Sequence, residues 1–131
     1  MSKVSPTVMV VDDSELACEG LRHTLGNAGI NVVALNSPFG FIKALRENNP
    51  QILLVDVGLG TMNGMRLVQL GRQHAPSGCA ILLYSGREDS QLAEDVKASA
   101  ADGYLSKRVT GTDLVNAVRR WLSNGAKPGV R

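Results

Sequence analysis

Four short apolar runs in this chain each end on a polar side chain, and this pattern constrains the fold more than any other. The runs are residues 8–11, 52–55, 81–84 and 104–106, and the polar residues that follow them are Asp12 with Asp13, Asp56, Ser85 and Lys107. Continuous runs rich in Val, Ile and Leu are typical of strands buried on both faces. Parallel strands would bring the polar ends to one edge of one sheet, where open α/β sheets bind ligands. The sequence therefore predicts one pocket containing carboxylates, a hydroxyl and an ammonium group.

Helical patterns separate these strands, so strand and helix alternate five times along the chain. A weak strand over residues 31–35, expected at a sheet edge, completes the set. The predicted helices follow Ser14, Pro38, Asn63, Arg87 and Thr110, where Ser14 is a candidate cap and Thr110 with Asp113 forms a capping box. This alternation predicts a parallel sheet with right-handed crossovers and helices on both faces.

The helical spacing also predicts which side chains face the core. These are Leu16, Leu21, Leu25 and Ala28 in the first helix, Phe39, Ile42 and Leu45 in the second, and Leu114, Val115, Val118, Trp121 and Leu122 in the last. The fourth helix is expected over residues 88–101 with a thin apolar stripe.

Composition excludes several classes of protein. The 131 residues suit one domain, and a net charge of +2 is too small and scattered to indicate nucleic-acid binding. No run approaches the length of a membrane span, the start lacks the apolar stretch of a signal peptide, and two cysteines imply no disulfide framework. We therefore expect a cytoplasmic protein. Residues 125–131 have the composition of a flexible C-terminal tail or the start of a linker.

The acidic residues of the predicted pocket suit a divalent cation. Asp12, Asp13 and Asp56 repel one another when crowded, and Mg²⁺ favours oxygen ligands of this kind. An acidic pair such as Asp12 and Asp13 also occurs as a turn or a helix cap. The metal site is therefore predicted from the pair together with Asp56, which ends a second buried strand.

Asp56 is also placed to act as a nucleophile toward phosphorus, giving an aspartyl phosphate. Transfer of a phosphoryl group depends mainly on positioning and on neutralising the charge of its oxygens. Lys107 and Ser85 can each contact one of those oxygens. A lysine paired with an aspartate for stability, and a serine in a turn, remain the alternatives for these two residues.

Together these segments resemble the receiver domain of two-component response regulators, including the chemotaxis regulators. The resemblance runs from Val8 to Leu122, and its motifs are residues 10–14, 54–57, 83–85 and 102–107. It implies a flavodoxin-like, doubly wound sheet of five parallel strands in the order 2-1-3-4-5 with five helices, filling residues 1–124.

The resemblance implies that Asp56 accepts a phosphoryl group from a sensor histidine kinase or a phosphotransfer protein. Mg²⁺ would be bound by the side chains of Asp13 and Asp56, by the carbonyl of Gly58, and by Asp12 largely through water. In such a domain the chain is a signalling phosphoacceptor, and it catalyses only its own phosphorylation and dephosphorylation.

The resemblance also assigns the switch. Ser85 and Lys107 would contact the phosphoryl oxygens, and Tyr104 matches an aromatic that turns inward when the hydroxyl moves toward the phosphate. The output face is then built by the fourth helix, fifth strand and last helix. It would control a downstream protein partner or an output domain, and two copies can pair through it. Direct binding to nucleic acid or to a membrane is not expected.

Three positions depart from the usual pattern of the family. Gly60 and Arg108 stand where proline is frequent, and Gly86 replaces a frequent alanine. The bond after the lysine is often cis in the family, and a cis bond before Arg108 would cost about 3 kcal/mol. We therefore expect a trans bond or a rare strained cis bond there.

Two other functions stay open at this point. The chain is alternatively a phosphorylation-independent interaction module, with its chemistry disabled by these departures. A phosphohydrolase that uses an aspartyl phosphate is the remote alternative, because Gly58 stands where a paired acid would be needed.

Overall fold

A computed structural model describes residues 5–57 and 64–124, which form one five-stranded parallel sheet flanked by helices. The sheet order is β2-β1-β3-β4-β5, so the expected flavodoxin-like architecture and strand order are confirmed. The elements are β1 (Thr7–Val11), α1 (Glu15–Asn27), β2 (Asn31–Leu35), α2 (Phe41–Asn48), β3 (Ile52–Asp56), α3 (Gly64–His74), β4 (Ala80–Ser85), α4 (Asp89–Lys97), β5 (Gly103–Ser106) and α5 (Gly111–Asn124).

The strand register aligns the carboxyl ends of the strands. Val11 is the register partner of Val55, and Asp56 is the partner of Tyr84. Ser85 pairs in turn with Ser106, the residue before Lys107. The polar residues that end or follow the four predicted strands therefore lie along one edge of the sheet.

Two apolar clusters cover the two faces of the sheet, which explains why the strands are continuously apolar. Alternate strand residues point to opposite faces. Val10 and Leu54 belong to the cluster beneath α1 and α5, whereas Val11 and Leu53 belong to the one beneath α2 and α3. Every residue of β3 and β4 is buried, so a polar side chain would be costly anywhere except at the ends.

The prediction that Leu16 faces the core is wrong, because its side chain is 84% exposed. The buried face of α1 consists of Cys18, Leu21 and Leu25. At 3.6 residues per turn, Leu16 lies about 200° around the helix from Cys18. The cap was predicted correctly, since the Ser14 side chain accepts a hydrogen bond from the Ala17 N–H at 3.1 Å.

The second helix begins later than Pro38 predicts. Its N-cap is Gly40 in a left-handed conformation (φ 76°), and the helix starts at Phe41. Phe39 therefore precedes the helix and is 90% exposed, while Phe41 is buried in the core in its place. Two phenylalanines spaced two residues apart cannot both face inward, and the start of the helix decides which one does.

The fourth helix ends at Lys97, four residues before its predicted end at residue 101. The hydroxyl of Ser99 accepts a hydrogen bond from the Ala101 N–H at 3.1 Å. A serine side chain that bonds nearby backbone in this way competes with the helical hydrogen bonds. The helix predicted from the alanine-rich sequence is therefore longer than the observed one.

Trp121 of α5 packs against the cluster beneath α1 and α5, as its helical position predicts. The close approach needs a glycine in β5, because a Cβ on Gly103 would lie 2.6 Å from the indole ring.

In the described ranges, no helix combines the length and the apolar character that a membrane crossing needs.

Gly64 at the start of α3 offers a test of this packing. A Cβ at this position would lie 2.6 Å from the Asp56 carbonyl oxygen and 2.9 Å from the Val57 Cα. Because both neighbours are backbone atoms, we expect Gly64→Ala to lower the free energy of unfolding by roughly 1–3 kcal/mol. Urea denaturation followed by the fluorescence of the single tryptophan measures this change.

Gly20→Ala is the matched control, since Gly20 lies inside α1 and a Cβ added there would meet nothing within 4 Å. This substitution should raise stability by about 0.5–1 kcal/mol. Equal effects of the two substitutions would contradict the close approach of α3 to the end of β3.

Candidate functional site

Asp12 lies at the centre of the polar edge and is fully buried. Its backbone N–H donates to the Leu35 carbonyl at 3.0 Å, and its carbonyl accepts from Asn36 Nδ2 at 3.1 Å. One carboxylate oxygen, Oδ1, accepts from the Ser14 N–H at 2.9 Å. The end of β2 and the start of α1 therefore fix Asp12 from both sides.

Asp13 is exposed and lies beside the two buried carboxylates. Oxygen atoms of Asp12, Asp13 and Asp56 all fall within 4.8 Å of one another. The Ser14 cap starts α1 directly after this pair, so the chain turns away and leaves the Asp13 carboxylate at the surface. This group of three carboxylates is able to hold a metal ion.

Lys107 brings its ammonium group to both buried carboxylates. Its Nζ is 2.6 Å from Asp12 Oδ2 and 3.6 Å from Asp56 Oδ2. The Lys107 backbone N–H donates to the Ser85 carbonyl at 2.8 Å, which ties the end of β5 to the end of β4. No peptide bond between described residues is cis, so the bond from Lys107 to Arg108 is trans.

The charges in this pocket are not balanced. One ammonium group faces three carboxylates, so the formal charge of the group is negative. Asp12 Oδ2 is buried, and the group that faces it among the described residues is the Lys107 ammonium at 2.6 Å, which also faces Asp56. Crowded carboxylate oxygens that share one ammonium group are what a hard divalent cation would neutralise, so the donor set fits such a metal.

Ser85, the last residue of β4, is buried beside this pocket. Its Oγ accepts a hydrogen bond from the Arg87 N–H at 3.1 Å, which leaves the hydroxyl hydrogen to donate elsewhere. Tyr104 lies one strand further along the sheet and packs, half-buried, against the cluster beneath α2 and α3. The structure thus brings Ser85 to the polar edge and places Tyr104 on the adjoining strand.

Tyr84 is a part of the pocket that the sequence did not single out. Its ring lies 5.2 Å from Lys107 Nζ, close enough for a cation–π contact. Burial raises the pKa of the Tyr84 phenol to about 12, with the Asp12 charge adding to the effect. Burial likewise raises the pKa of the Cys18 thiol, and the charge of Asp12 raises it further. Both groups are therefore neutral at physiological pH and add no further negative charge.

Two more residues were missed or only partly recognised. Asn36 follows the edge strand β2, and its amide also lies 3.4 Å from Cys18 Sγ. The rule that found the other four strand ends would have found it. Arg108 was noted only for standing in place of a proline, yet its guanidinium binds the loop after β4. Gly58 and Gly60, predicted as a metal ligand and as a departure from the family, lie outside the described residues.

Known proteins resemble this chain over nearly its whole length. It is 29% identical over 119 residues to the autoinducer 1 sensor kinase/phosphatase LuxN of Vibrio campbellii, a match that covers 91% of this chain and 14% of LuxN. It is also 29% identical over 122 residues to the DNA-binding response regulator MtrA of Mycobacterium tuberculosis, covering 93% of this chain and 53% of MtrA. The chain thus spans about half or less of these relatives.

Solved structures show the same fold. A response regulator from Thermotoga maritima superposes with a TM-score of 0.78 at 27% identity, over 92% of this chain and 99% of that one. The chemotaxis response regulator CheY4 of Vibrio cholerae gives 0.78 at 24% identity, over 89% and 98%. The model of the response regulator receiver domain matches residues 8–119, and the chain therefore belongs to this family of signalling phosphoacceptors.

Proposed function

We propose that Asp56 is the residue that accepts the phosphoryl group, and that the pocket around it binds Mg²⁺. The observation that carries this proposal is the position of Lys107, whose ammonium lies 3.6 Å from Asp56 Oδ2 in the same pocket as the acidic group. A carboxylate at the end of a buried strand, with a cation beside it, can act as a nucleophile and is placed where added negative charge is compensated.

The transfer itself needs little from the protein beyond this arrangement. A carboxylate oxygen of Asp56 forms a bond to phosphorus while the bond from phosphorus to the donor atom breaks. The electron pair of the broken bond leaves with the donor, which is a histidine nitrogen of a kinase or phosphotransfer protein. Lys107 is already within ion-pair distance of Asp56, so it needs little movement to contact a phosphoryl oxygen.

The metal would be held by Asp12, Asp13 and Asp56, with the carbonyl of Gly58 as the further ligand that the family resemblance implies. When bound, Mg²⁺ would neutralise charge on the phosphoryl oxygens and on the carboxylates. The crowding of three carboxylates around one ammonium group supports this assignment. Asp12 is also bonded to the Ser14 N–H, which keeps its carboxylate aimed at the pocket.

Ser85 and Tyr104 are proposed as the switch. The hydroxyl hydrogen of Ser85 is left to donate toward a phosphoryl oxygen, and a shift of Ser85 would open space beside β5 for the Tyr104 ring. The free-energy difference between the two states is expected to be a few kcal/mol, as in other two-state proteins. The readout would be the face formed by α4, β5 and α5, through which two copies can also pair.

The partners follow from this role. A sensor histidine kinase or phosphotransfer protein would supply the phosphoryl group in the cytoplasm. LuxN is named a sensor kinase and MtrA a DNA-binding regulator, so related segments occur in two kinds of longer protein. We propose that residues 1–124 form the receiver domain, with 125–131 as a tail or linker, and that it acts on a protein partner or an output domain.

Removing the acceptor should abolish modification. Incubation with acetyl phosphate and Mg²⁺ is expected to add one phosphoryl group to the wild-type chain, seen by intact-protein mass spectrometry. Asp56→Asn should show none, because the amide is a poor nucleophile. Glu47→Gln, which neutralises an exposed carboxylate on α2, should be modified like the wild type. Modification of Asp56→Asn would contradict Asp56 as the acceptor, and no modification of the wild type would favour the phosphorylation-independent module.

Relieving the charge crowding should stabilise the metal-free protein. Asp13→Asn removes one of three neighbouring carboxylates, so we expect the free energy of unfolding without metal to rise by roughly 0.5–1 kcal/mol after solvent screening. The same change should weaken Mg²⁺ binding about tenfold or more, and with it the stabilisation that added Mg²⁺ provides. Urea titrations with and without Mg²⁺ measure both effects. A loss of metal-free stability with undiminished stabilisation by Mg²⁺ would contradict the proposed site.

A further inference from the structure

Arg108 reaches from the loop after β5 back to the loop after β4. Its NH1 donates to the carbonyls of Gly86 at 2.7 Å and of Arg87 at 2.6 Å. Its NH2 donates to the carboxylate of Asp89, the first residue of α4, at 2.8 Å. One guanidinium therefore binds two successive carbonyls and a carboxylate of the same segment.

This segment begins immediately after Ser85, the proposed switch hydroxyl. The loop is already joined to β5 at its start, where the Ser85 carbonyl accepts from the Lys107 N–H. Arg108 adds a second connection further along, so the two loops are tied at two points. A lysine has no planar fork and would not reproduce the three bonds, and a proline has no side-chain donor at all.

We propose that Arg108 is a positioning residue that holds the loop after β4 in the arrangement described here and so opposes the movement of Ser85 toward a phosphoryl group. The inference rests on the proposed function of Asp56. Gly86 and Arg87 follow Ser85 directly in the chain, so a shift of Ser85 strains or breaks their bonds to Arg108. In this arrangement Ser85 Oγ accepts from the Arg87 N–H of the same loop at 3.1 Å. The bonds of Arg108 therefore favour the arrangement in which the hydroxyl is engaged with its own loop, and a phosphoryl group that recruits Ser85 must overcome them.

The size of the effect is limited by solvent. The side chains of Arg108 and Asp89 are 46% and 68% exposed, so their ion pair alone contributes little. The bonds to two backbone carbonyls add to it because they share one rigid guanidinium. We expect loss of Arg108 to raise the affinity for a phosphoryl mimic roughly three- to tenfold.

The test measures the binding of beryllofluoride in the presence of Mg²⁺ by isothermal titration calorimetry. Arg108→Ala and Arg108→Lys should both bind more tightly than the wild type, because neither forms the fork. The lysine variant keeps the charge, which separates positioning from simple attraction of an anion. Arg120→Ala, an exposed arginine of α5, is the matched control and should bind like the wild type.

A double-mutant cycle identifies the contact responsible. Asp89→Ala should tighten binding less than Arg108→Ala, and the double variant should equal Arg108→Ala, because the Asp89 bond is lost in both. Affinity for Mg²⁺ alone should stay unchanged in all these variants, since the loop contains none of the three carboxylates. A merely structural role for Arg108 would instead weaken binding of both Mg²⁺ and beryllofluoride.

Beryllofluoride binding distinguishes failure of the Arg108 inference from failure of the proposed function of Asp56. Beryllofluoride binding by the wild type with equal or weaker binding by both Arg108 variants overturns the inference and leaves the proposed function standing. No binding by the wild type overturns the proposed function, and the inference with it.

Discussion

Burial of the sheet on both faces is the constraint on which the rest of this structure depends. β3 and β4 are buried at every residue, so polar groups are tolerated only at the strand ends. Parallel pairing then brings those ends together, and three carboxylates meet one ammonium group. The crowding costs stability, and a bound cation would relieve that same crowding. The proposed binding of a cation and the electrostatic strain thus both arise from the carboxylates at the strand ends.

The neighbouring elements hold this unfavourable arrangement in place. Asp12 is bonded to the end of β2 and to the start of α1, and Gly64 lets α3 approach the Asp56 carbonyl. Lys107 is fixed by its backbone bond to Ser85 as well as by its charge. The side chains of the pocket are therefore positioned mainly by backbone contacts. These contacts hold the carboxylates together despite their mutual repulsion.

The parts of the fold that could be predicted from the sequence are those with a regular pattern. Apolar runs located all five strands, and the family resemblance supplied their order. Two of the errors depended on where a helix starts or stops: Phe39 and Phe41 compete for one core position, and Ser99 ends α4 early. Such choices depend on a single cap or a local hydrogen bond, which periodicity does not register.

The functional site likewise contains residues that the sequence pattern predicts and residues that it misses. Residues that follow buried strands were found, because the topology alone brings them together. Tyr84 ends an apolar run and is buried in the core cluster, so the sequence pattern does not indicate its contact with Lys107. The contact of Arg108 with the Arg87 carbonyl, 21 residues away, has no local signal in the sequence either. Asn36 was the exception, since it obeys the strand-end rule and was overlooked. Contacts that a side chain makes with a distant loop cannot be predicted from the sequence pattern.

The most direct test of the central claim is a crystal structure of the chain with Mg²⁺ and beryllofluoride. We expect beryllofluoride on a carboxylate oxygen of Asp56, Mg²⁺ among the three carboxylates, and Lys107 Nζ and Ser85 Oγ on separate fluorine atoms. Beryllofluoride bound away from Asp56, or a metal held without Asp12, Asp13 and Asp56, would contradict it.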